Sequence, residues 1–376
     1  MSPMALRPIE AYRRVVVRLP NALGDTVMAT PALRRLAAAL GPERLCAAGL
    51  ASSLQVLEGA PWFGASIAID RKEKHAGLFG AFRLAREIAV LDCDLAIIFP
   101  NSIQSALPFF LARTPERLGY FKEGRRVLLT AGKPREADAH GHFVPKYTGR
   151  YFDELLDLIP RLPASEMRPE LFVDAHGEEE CAAWMKACGL QADEPFFIVV
   201  PGAAFGPSKI WLPERYAFVA DELARARKAR VLVSYGPGEE AIAAAVKGAM
   251  KTAPLADAKG SLRGLKSIYK RAAFVLTNDT GPRHLAVAFG IPNVTIMGPN
   301  DPRYTHLEAG GTQHISPSPF QGESGVRVSK CGEVVREAVP CSPCQLKVCP
   351  LAEQVCMTRL TAVRVLERCL ANWPAS

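Results

Sequence analysis

Short apolar runs alternate along this chain with stretches in which apolar positions recur every three or four residues. The runs read as strands: Val15 to Leu19, Leu45 to Ala48 and Leu95 to Phe99 in the first half, then Phe196 to Val200, Val231 to Tyr235, Phe274 to Leu276 and Val294 to Met297. Between them, Val27, Met28, Ala32, Leu33, Leu36, Ala37 and Leu40 fall on one helical face, and Ile103 to Leu111, Tyr216 to Ala229 and Thr361 to Leu370 also read as helices. Strands alternating with helices predict βαβ units, an α/β fold in which parallel sheets carry helices on both faces.

The rhythm breaks between Ile159 and Glu178, where Pro160, Pro163 and Pro169 precede the acidic run Glu178-Glu179-Glu180. A proline-rich break between two α/β patterns is a boundary signal. It predicts a first domain over residues 1–170, a second over 171–356 with a cleft between them, and a C-terminal helical segment, 357–376, that can pack back toward the first. Gln313 to Gly332, rich in Ser, Pro and Gly, reads as an irregular excursion from the second domain.

At 376 residues, two domains are the default. With 49% apolar and 22% charged residues, the composition is that of an ordinary globular protein. No apolar run reaches the roughly 18 residues of a membrane span. Arg7, Arg13 and Arg14 are followed only by the short run Val15 to Leu19, so no secretory signal is read and a cytoplasmic location is expected. The net charge of +8 is scattered, without a basic tract interleaved with aromatics. That disfavours nucleic acid and leaves a small anionic ligand or an acidic membrane surface as the partner.

Open parallel sheets bind ligands beyond the carboxyl ends of their strands. Four polar turns follow such ends: Pro20 to Thr26, Pro201 to Lys209, Gly236 to Glu240 and Asn278 to His284. The last joins an apolar strand to a helix, a geometry that points backbone N–H groups at an anion, and it also carries Asp279, Thr280 and His284. The first has a single glycine, so it is not a dinucleotide fingerprint. There Asp25 or Thr26 reads either as a helix N-cap or, for Asp25, as a carboxylate able to take a proton from a bound hydroxyl.

In the second turn, Gly202 and its small neighbours permit close backbone approach, while Ser208 and Lys209 offer a hydroxyl and a cation. Lys209 reads as a phosphate contact or as a surface lysine. Glu239 and Glu240, after Gly236, suit a helix start, or a nucleoside hydroxyl. Asn300-Asp301-Pro302 reads as a structural turn. Pro100-Asn101-Ser102 ends a strand, and Arg113, Arg117, Tyr120, Lys122, Arg125 and Arg126 follow it, either as a solvated loop or as a docking surface for an anionic acceptor.

Ten cysteines are present. Cys46, Cys93, Cys181, Cys188, Cys331 and Cys369 read as reduced structural thiols. Cys341, Cys344, Cys349 and Cys356 are clustered. They read as a packed, reduced turn, with a structural zinc as the other reading, although the spacing is not that of a standard finger. There is no HExxH, and the seven histidines do not cluster, so no catalytic metal is expected.

These motifs together resemble the lipopolysaccharide heptosyltransferases of glycosyltransferase family nine. Val16 to Leu33, with Leu23-Gly24-Asp25 and Thr30-Pro31-Ala32, is similar to their opening segment. Pro201 to Trp211 resembles their PGAxxGxxKxW loop, and Asn278 to His284 their NDTG-xxH turn. Phe99-Pro100-Asn101-Ser102, Ser105-Ala106-Leu107 and Pro340-Cys341-Ser342-Pro343-Cys344 are similar to the heptosyltransferase II branch. The resemblance runs in order from Val15 to Leu366; Pro282-Arg283 departs from it.

The resemblance implies a GT-B architecture: two Rossmann-like domains, the first taking the acceptor and the second the nucleotide-sugar. It implies inverting transfer of a heptose from ADP-L-glycero-β-D-manno-heptose to heptosyl-Kdo2-lipid A, with no required cofactor. Asp25 would be the base, and Lys209 would act with it by offsetting charge on the leaving ADP. Gly202, Ser208, Gly236, Glu239, Asp279, Thr280, Gly281 and His284 would hold the donor, and Asn21, Asn101, Ser102, Arg117 and Lys122 the acceptor. The implied partner is a lipid-linked inner-core acceptor, met peripherally at the cytoplasmic face of the inner membrane. Three alternatives stand beside this reading: a family-nine transferase with another sugar, a nucleotide-sugar epimerase, and a non-catalytic nucleotide-sugar binder. The oligomeric state is not set by the sequence.

Overall fold

The structure, a computed structural model, describes residues 5–122, 124–140, 143–306, 326–329 and 332–373. The chain divides into two units, Met1–Phe172 and Val173–Ser376, within two residues of the expected boundary. Most of the excursion expected over Gln313 to Gly332, and Cys331, lie outside the described residues.

The first unit holds β1 (Val15–Arg18), β2 (Leu45–Gly49), β3 (Ala65–Ala68), β4 (Leu95–Ile98) and β5 (Glu116–Gly119). They pair in parallel in the order β3-β2-β1-β4-β5. This is a Rossmann-like winding, with the order reversing beside β1. All four residues of β1 and of β4 are buried, as continuous apolar runs demand of central parallel strands.

The second unit holds β6 (Phe196–Val200), β7 (Arg230–Val233), β8 (Phe274–Asn278), β9 (Asn293–Ile296), β10 (Val326–Ser329) and β11 (Gly332–Val335). Their order is β10-β11-β9-β8-β6-β7, parallel except for the antiparallel β10 at one edge.

Four strands, β3, β5, β10 and β11, were not among the sequence expectations. The edge strand β5 carries Glu116, buried between the Tyr12 hydroxyl and Arg7 Nε, each at 2.6 Å. Similarly, β11 carries the buried Glu333, held by Arg368 at 2.7 and 2.8 Å. Partnered buried charges broke the apolar signature of these strands.

Three further expectations change. The single helical face from Val27 to Leu40 is split into helices Leu23–Met28 and Thr30–Leu40, the second opening with Pro31 in its first turn. The acidic run at Glu178 is not linker: it lies in the helix Ala175–Ala187, whose N-cap Asp174 accepts from Gly177 N at 2.8 Å. The C-terminal helix Ala362–Asn372 is part of the second unit rather than a segment of its own. Its Val365 and Cys369, with Trp373, belong to the second unit's core, where Trp373 stacks on Phe274 with ring centroids 5.2 Å apart. Among the described residues no helix is long and apolar enough to cross a membrane.

Candidate functional site

In the second unit, two of the expected turns are tied to each other at the ends of β6 and β8. Asn278, buried at the end of β8, donates from Nδ2 to the Pro201 carbonyl at 2.7 Å and accepts the Tyr216 hydroxyl at 2.5 Å. Lys209 is not a surface lysine. It is buried, with Nζ 2.8 Å from the Asp279 carbonyl and 2.9 Å from Asp279 Oδ2, and it lies over the Phe205 ring at 4.7 Å.

The Asp279 carboxylate also accepts from Arg283 Nη1 at 2.9 Å and Asn300 Nδ2 at 2.7 Å. Burial alone would raise its pKa, but the charges of Lys209 and then Arg283 overrule that and hold it well below the ordinary carboxylate range. A carboxylate so engaged is a poor proton acceptor. For His284, burial first and the Arg283 charge second push the imidazole down to about 3, so it is neutral at physiological pH.

The helix Gly281–Phe289 begins just after Asp279 and carries His284 in its first turn. Its N-cap residue, Thr280, makes no side-chain cap bond, and an anion suits that positive end.

Around this core, Glu239 Oε2 accepts from Gly236 N at 2.8 Å and sits against Gly202, where an added Cβ would come within 2.2 Å of it. A side chain at Gly202 would therefore displace the carboxylate beside it. Ser208 departs from its expected role: it is buried, and its hydroxyl donates to the Leu346 carbonyl at 2.6 Å rather than standing open to a ligand.

In the first unit, the N-cap of Leu23–Met28 is Ala22, so neither Asp25 nor Thr26 is a cap. Thr26 is buried and bonds to the Ala22 carbonyl at 3.0 Å, while Asp25 is half-buried in the first turn. Nearby, a pocket of about 430 Å³ is lined by Arg18, Asn21, Arg71, His75, Ser102 and Gln104, among others. Arg18 is only 4% exposed and donates to Asn21 Oδ1 at 2.6 Å; among the described residues no carboxylate pairs with it. Burial, and then the like charge of Arg71, pull its guanidinium down to about 10. A desolvated cation facing a second cation is an arrangement that an anion would relieve.

The remaining expected acceptor residues have structural bonds. Asn101 Nδ2 donates to the Tyr151 hydroxyl at 2.9 Å, and Ser102 caps the helix Ile103–Leu111 while also lining the pocket. Arg117 Nε donates to the Leu128 carbonyl at 2.7 Å, and the Lys122 carbonyl accepts from Arg125 N at 3.1 Å. The basic stretch 113–126 is thus no uniform docking surface, since Arg125 is fully buried and donates to the Pro100 and Tyr120 carbonyls. Exposed apolar surface lies instead on the helix Gly77–Val90, where Leu78, Phe79 and Phe82 are 63%, 84% and 48% exposed.

Sequence reasoning missed Arg18, Asn300 and Arg283's part in the site. Arg18 had a signal, a lone charge closing an all-apolar strand. Asn300 had only its turn, and Arg283, which links Asp279 to Thr305 Oγ1 at 3.0 Å and to His306, looked like a departure.

A profile of glycosyltransferase family 9 (heptosyltransferase) matches residues 81–351. The lipooligosaccharide heptosyltransferase 2 of Haemophilus influenzae is 30% identical over 220 residues, covering 56% of this chain and 62% of that protein; the chain thus spans less than two thirds of this relative. The Campylobacter jejuni lipooligosaccharide heptosyltransferase 2 is 24% identical, covering 94% of this chain and 97% of that protein. The solved E. coli ADP-heptose LPS heptosyltransferase II superposes with a TM-score of 0.70 at 21% identity, over 96% of this chain and 98% of that one. That likeness shows the fold, a GT-B pair of Rossmann-like units. With the profile covering most of its length, the chain belongs to glycosyltransferase family 9 (heptosyltransferase).

Proposed function

We propose that this chain is a heptosyltransferase that moves a heptose, with inversion, from ADP-L-glycero-β-D-manno-heptose to heptosyl-Kdo2-lipid A. The observation that carries the reading is the turn after β8: a helix N-terminus without a side-chain cap, held by the buried Lys209–Asp279 pair, in a chain of this family.

In this reading the second unit takes the donor. The helix end at Thr280 and Gly281 receives the pyrophosphate, with Lys209 beneath it, and Glu239 accepts from a nucleoside hydroxyl. Asp25 in the first unit removes the proton from the acceptor hydroxyl as its oxygen attacks the anomeric carbon. The anomeric C–O bond to phosphate breaks, and ADP leaves with the electron pair. The reaction so written uses no cofactor.

Arg18 and Arg71 receive an anionic group of the acceptor. Leu78, Phe79 and Phe82, with the nearby basic residues Arg83 and Arg86, contact the cytoplasmic face of an acidic membrane carrying that acceptor. Binding to anionic vesicles that weakens with salt tests the contact; binding indifferent to salt counts against it.

The deciding experiment incubates the protein with ADP-heptose and heptosyl-Kdo2-lipid A and weighs the product. One added heptose is expected. Asp25→Ala should abolish the product and leave ADP binding unchanged, because Asp25 belongs to the first unit and this reading places the donor on the second. Near-normal turnover in that variant would remove Asp25 as the base. Turnover with UDP- or GDP-sugars alone would overturn the donor.

A further inference from the structure

The four clustered cysteines lie at a strategic point of the second unit. Cys341, Cys344, Cys349 and Cys356 fall within sixteen residues and all line one small cavity of about 80 Å³, together with Ser208, Pro299 and Leu351. All four are free thiols; Cys341 and Cys344 are exposed, Cys349 is half-buried and Cys356 is buried. No carboxylate or imidazole lines the cavity, so its only strong ligands are soft ones.

The segment they occupy has little else to fold it. Between β11 and the short helix Val355–Thr358, residues 336–354 form neither helix nor strand. Connections of this length without secondary structure are uncommon unless functional. Val339 joins the core, but beyond it Leu346, Val348 and Leu351 are 45%, 65% and 49% exposed, so apolar burial holds only the start of the segment.

Nevertheless it is the platform for the Lys209 loop. Ser342 Oγ donates to the Gly298 carbonyl at 2.6 Å, Gln345 N to the Pro299 carbonyl at 2.8 Å, and Ser208 N to the Lys347 carbonyl at 3.2 Å. The two loops pass so closely at Gly206 that an added Cβ there would lie 2.5 Å from the Lys347 carbonyl.

We propose that Cys341, Cys344, Cys349 and Cys356 bind one thiophilic divalent cation, zinc or iron(II), as a structural tetrathiolate centre that fixes the segment 340–354 beneath the Ser208–Lys209 loop. Four sulfur donors in a CxxC-and-two pattern suit a tetrahedral ion of this class, with metal–sulfur distances of about 2.3 Å for zinc, and exclude magnesium or calcium. Among the described residues no three such ligands already stand around one point. Loading therefore requires the four thiols to draw together around the ion. Each thiol gives up its proton as its sulfur binds, so the charge changes by four while the ion adds two, and affinity rises with pH. The site is structural and does not depend on which sugar the enzyme transfers.

The test measures metal in the full-length protein, purified under reducing conditions and desalted into metal-free buffer, after incubation with zinc or with iron(II). Wild type should hold about one ion per chain. Cys344→Ser and Cys349→Ser should lose it, whereas Cys188→Ser, at a half-buried thiol outside the cluster, should keep it. Cobalt(II) added to metal-free wild type should give the visible bands of a tetrahedral thiolate centre, a readout that needs no variant. Removing the ion should speed tryptic cleavage after Lys347 several-fold. Equal metal in all variants, or no metal and no cobalt-thiolate bands in wild type, overturns the proposal. Elemental analysis distinguishes zinc from iron.

Discussion

Lys209 Nζ lies 2.9 Å from Asp279 Oδ2 and 2.8 Å from the Asp279 carbonyl, so one ammonium clamps both the side chain and the backbone of the turn after β8. Removing one partner of a buried pair typically costs about 3–5 kcal/mol, because the other charge stays buried. Arg283 and Asn300 remain on Asp279, which places Lys209→Met toward the lower end. Denaturant unfolding checks the size. The double variant Lys209→Met, Asp279→Asn should lose less than the sum of the single losses, since Lys209 is no longer left without its carboxylate, although Arg283 still is. Additive losses would mean the two residues are not a pair.

Acid should weaken the second unit. His284 is held neutral in the folded protein, pushed down to about 3 from an ordinary value of 6.5. Below about 6.5 the unfolded chain binds a proton there that the folded chain does not. Stability is therefore full above that pH and falls as pH drops from 6.5 toward 3. His306, buried against Arg283, acts in the same direction. Asp279, held low, adds a further loss below the ordinary carboxylate value of 3.8. Urea midpoints at descending pH should fall across this window, and His284→Gln should flatten part of the slope. A wild-type midpoint that is level from pH 7 to about 4.5 would contradict the burial argument.

The Arg18–Arg71 pocket makes a prediction about substrate rather than stability. Arg71 is exposed and donates to Gln104 Oε1 at 3.0 Å, so Arg71→Ala should leave the fold intact. Losing one charge-assisted hydrogen bond of about 1.5–3 kcal/mol raises KM for the acceptor by about tenfold or more. KM for the donor should not move. A change in both, or in neither, would detach this pocket from the acceptor.

The alternation of apolar runs and helical faces made the two-unit fold legible, because the central strands β1, β4, β6 and β8 are almost wholly apolar. Strands β5 and β11 were hidden, since Glu116 and Glu333 look like surface residues until their partners, Arg7, Tyr12 and Arg368, are known from distant parts of the chain. The same holds for the site. Asp279, Thr280 and Gly281 were visible as a strand–turn–helix motif, but the bonds that engage the Asp279 carboxylate come from residues 209, 283 and 300. The bond of the Ser208 hydroxyl was hidden for a parallel reason: its partner Leu346 belongs to a segment far along the chain.

Gly202 provides the sharpest test of the donor half. A methyl group there would come within 2.2 Å of Glu239 Oε2, a carboxylate already bonded to Gly236 N. The carboxylate is the far end of a flexible side chain, so Gly202→Ala should displace it rather than unfold the sheet, at the ~1–3 kcal/mol typical of overpacking. Displacement breaks the Gly236 bond and removes the proposed nucleoside contact together. ADP binding, measured by calorimetry, should therefore weaken in Gly202→Ala and in Glu239→Ala to a similar degree. Once Glu239 is truncated, the added methyl has nothing to strike. The double variant should consequently recover most of the stability lost in Gly202→Ala while binding ADP no better than Glu239→Ala. If the double variant is as unstable as the sum of the two, the clash lies with the backbone and not with Glu239. If Glu239→Ala binds ADP normally, the carboxylate serves only to shape the loop at Gly236.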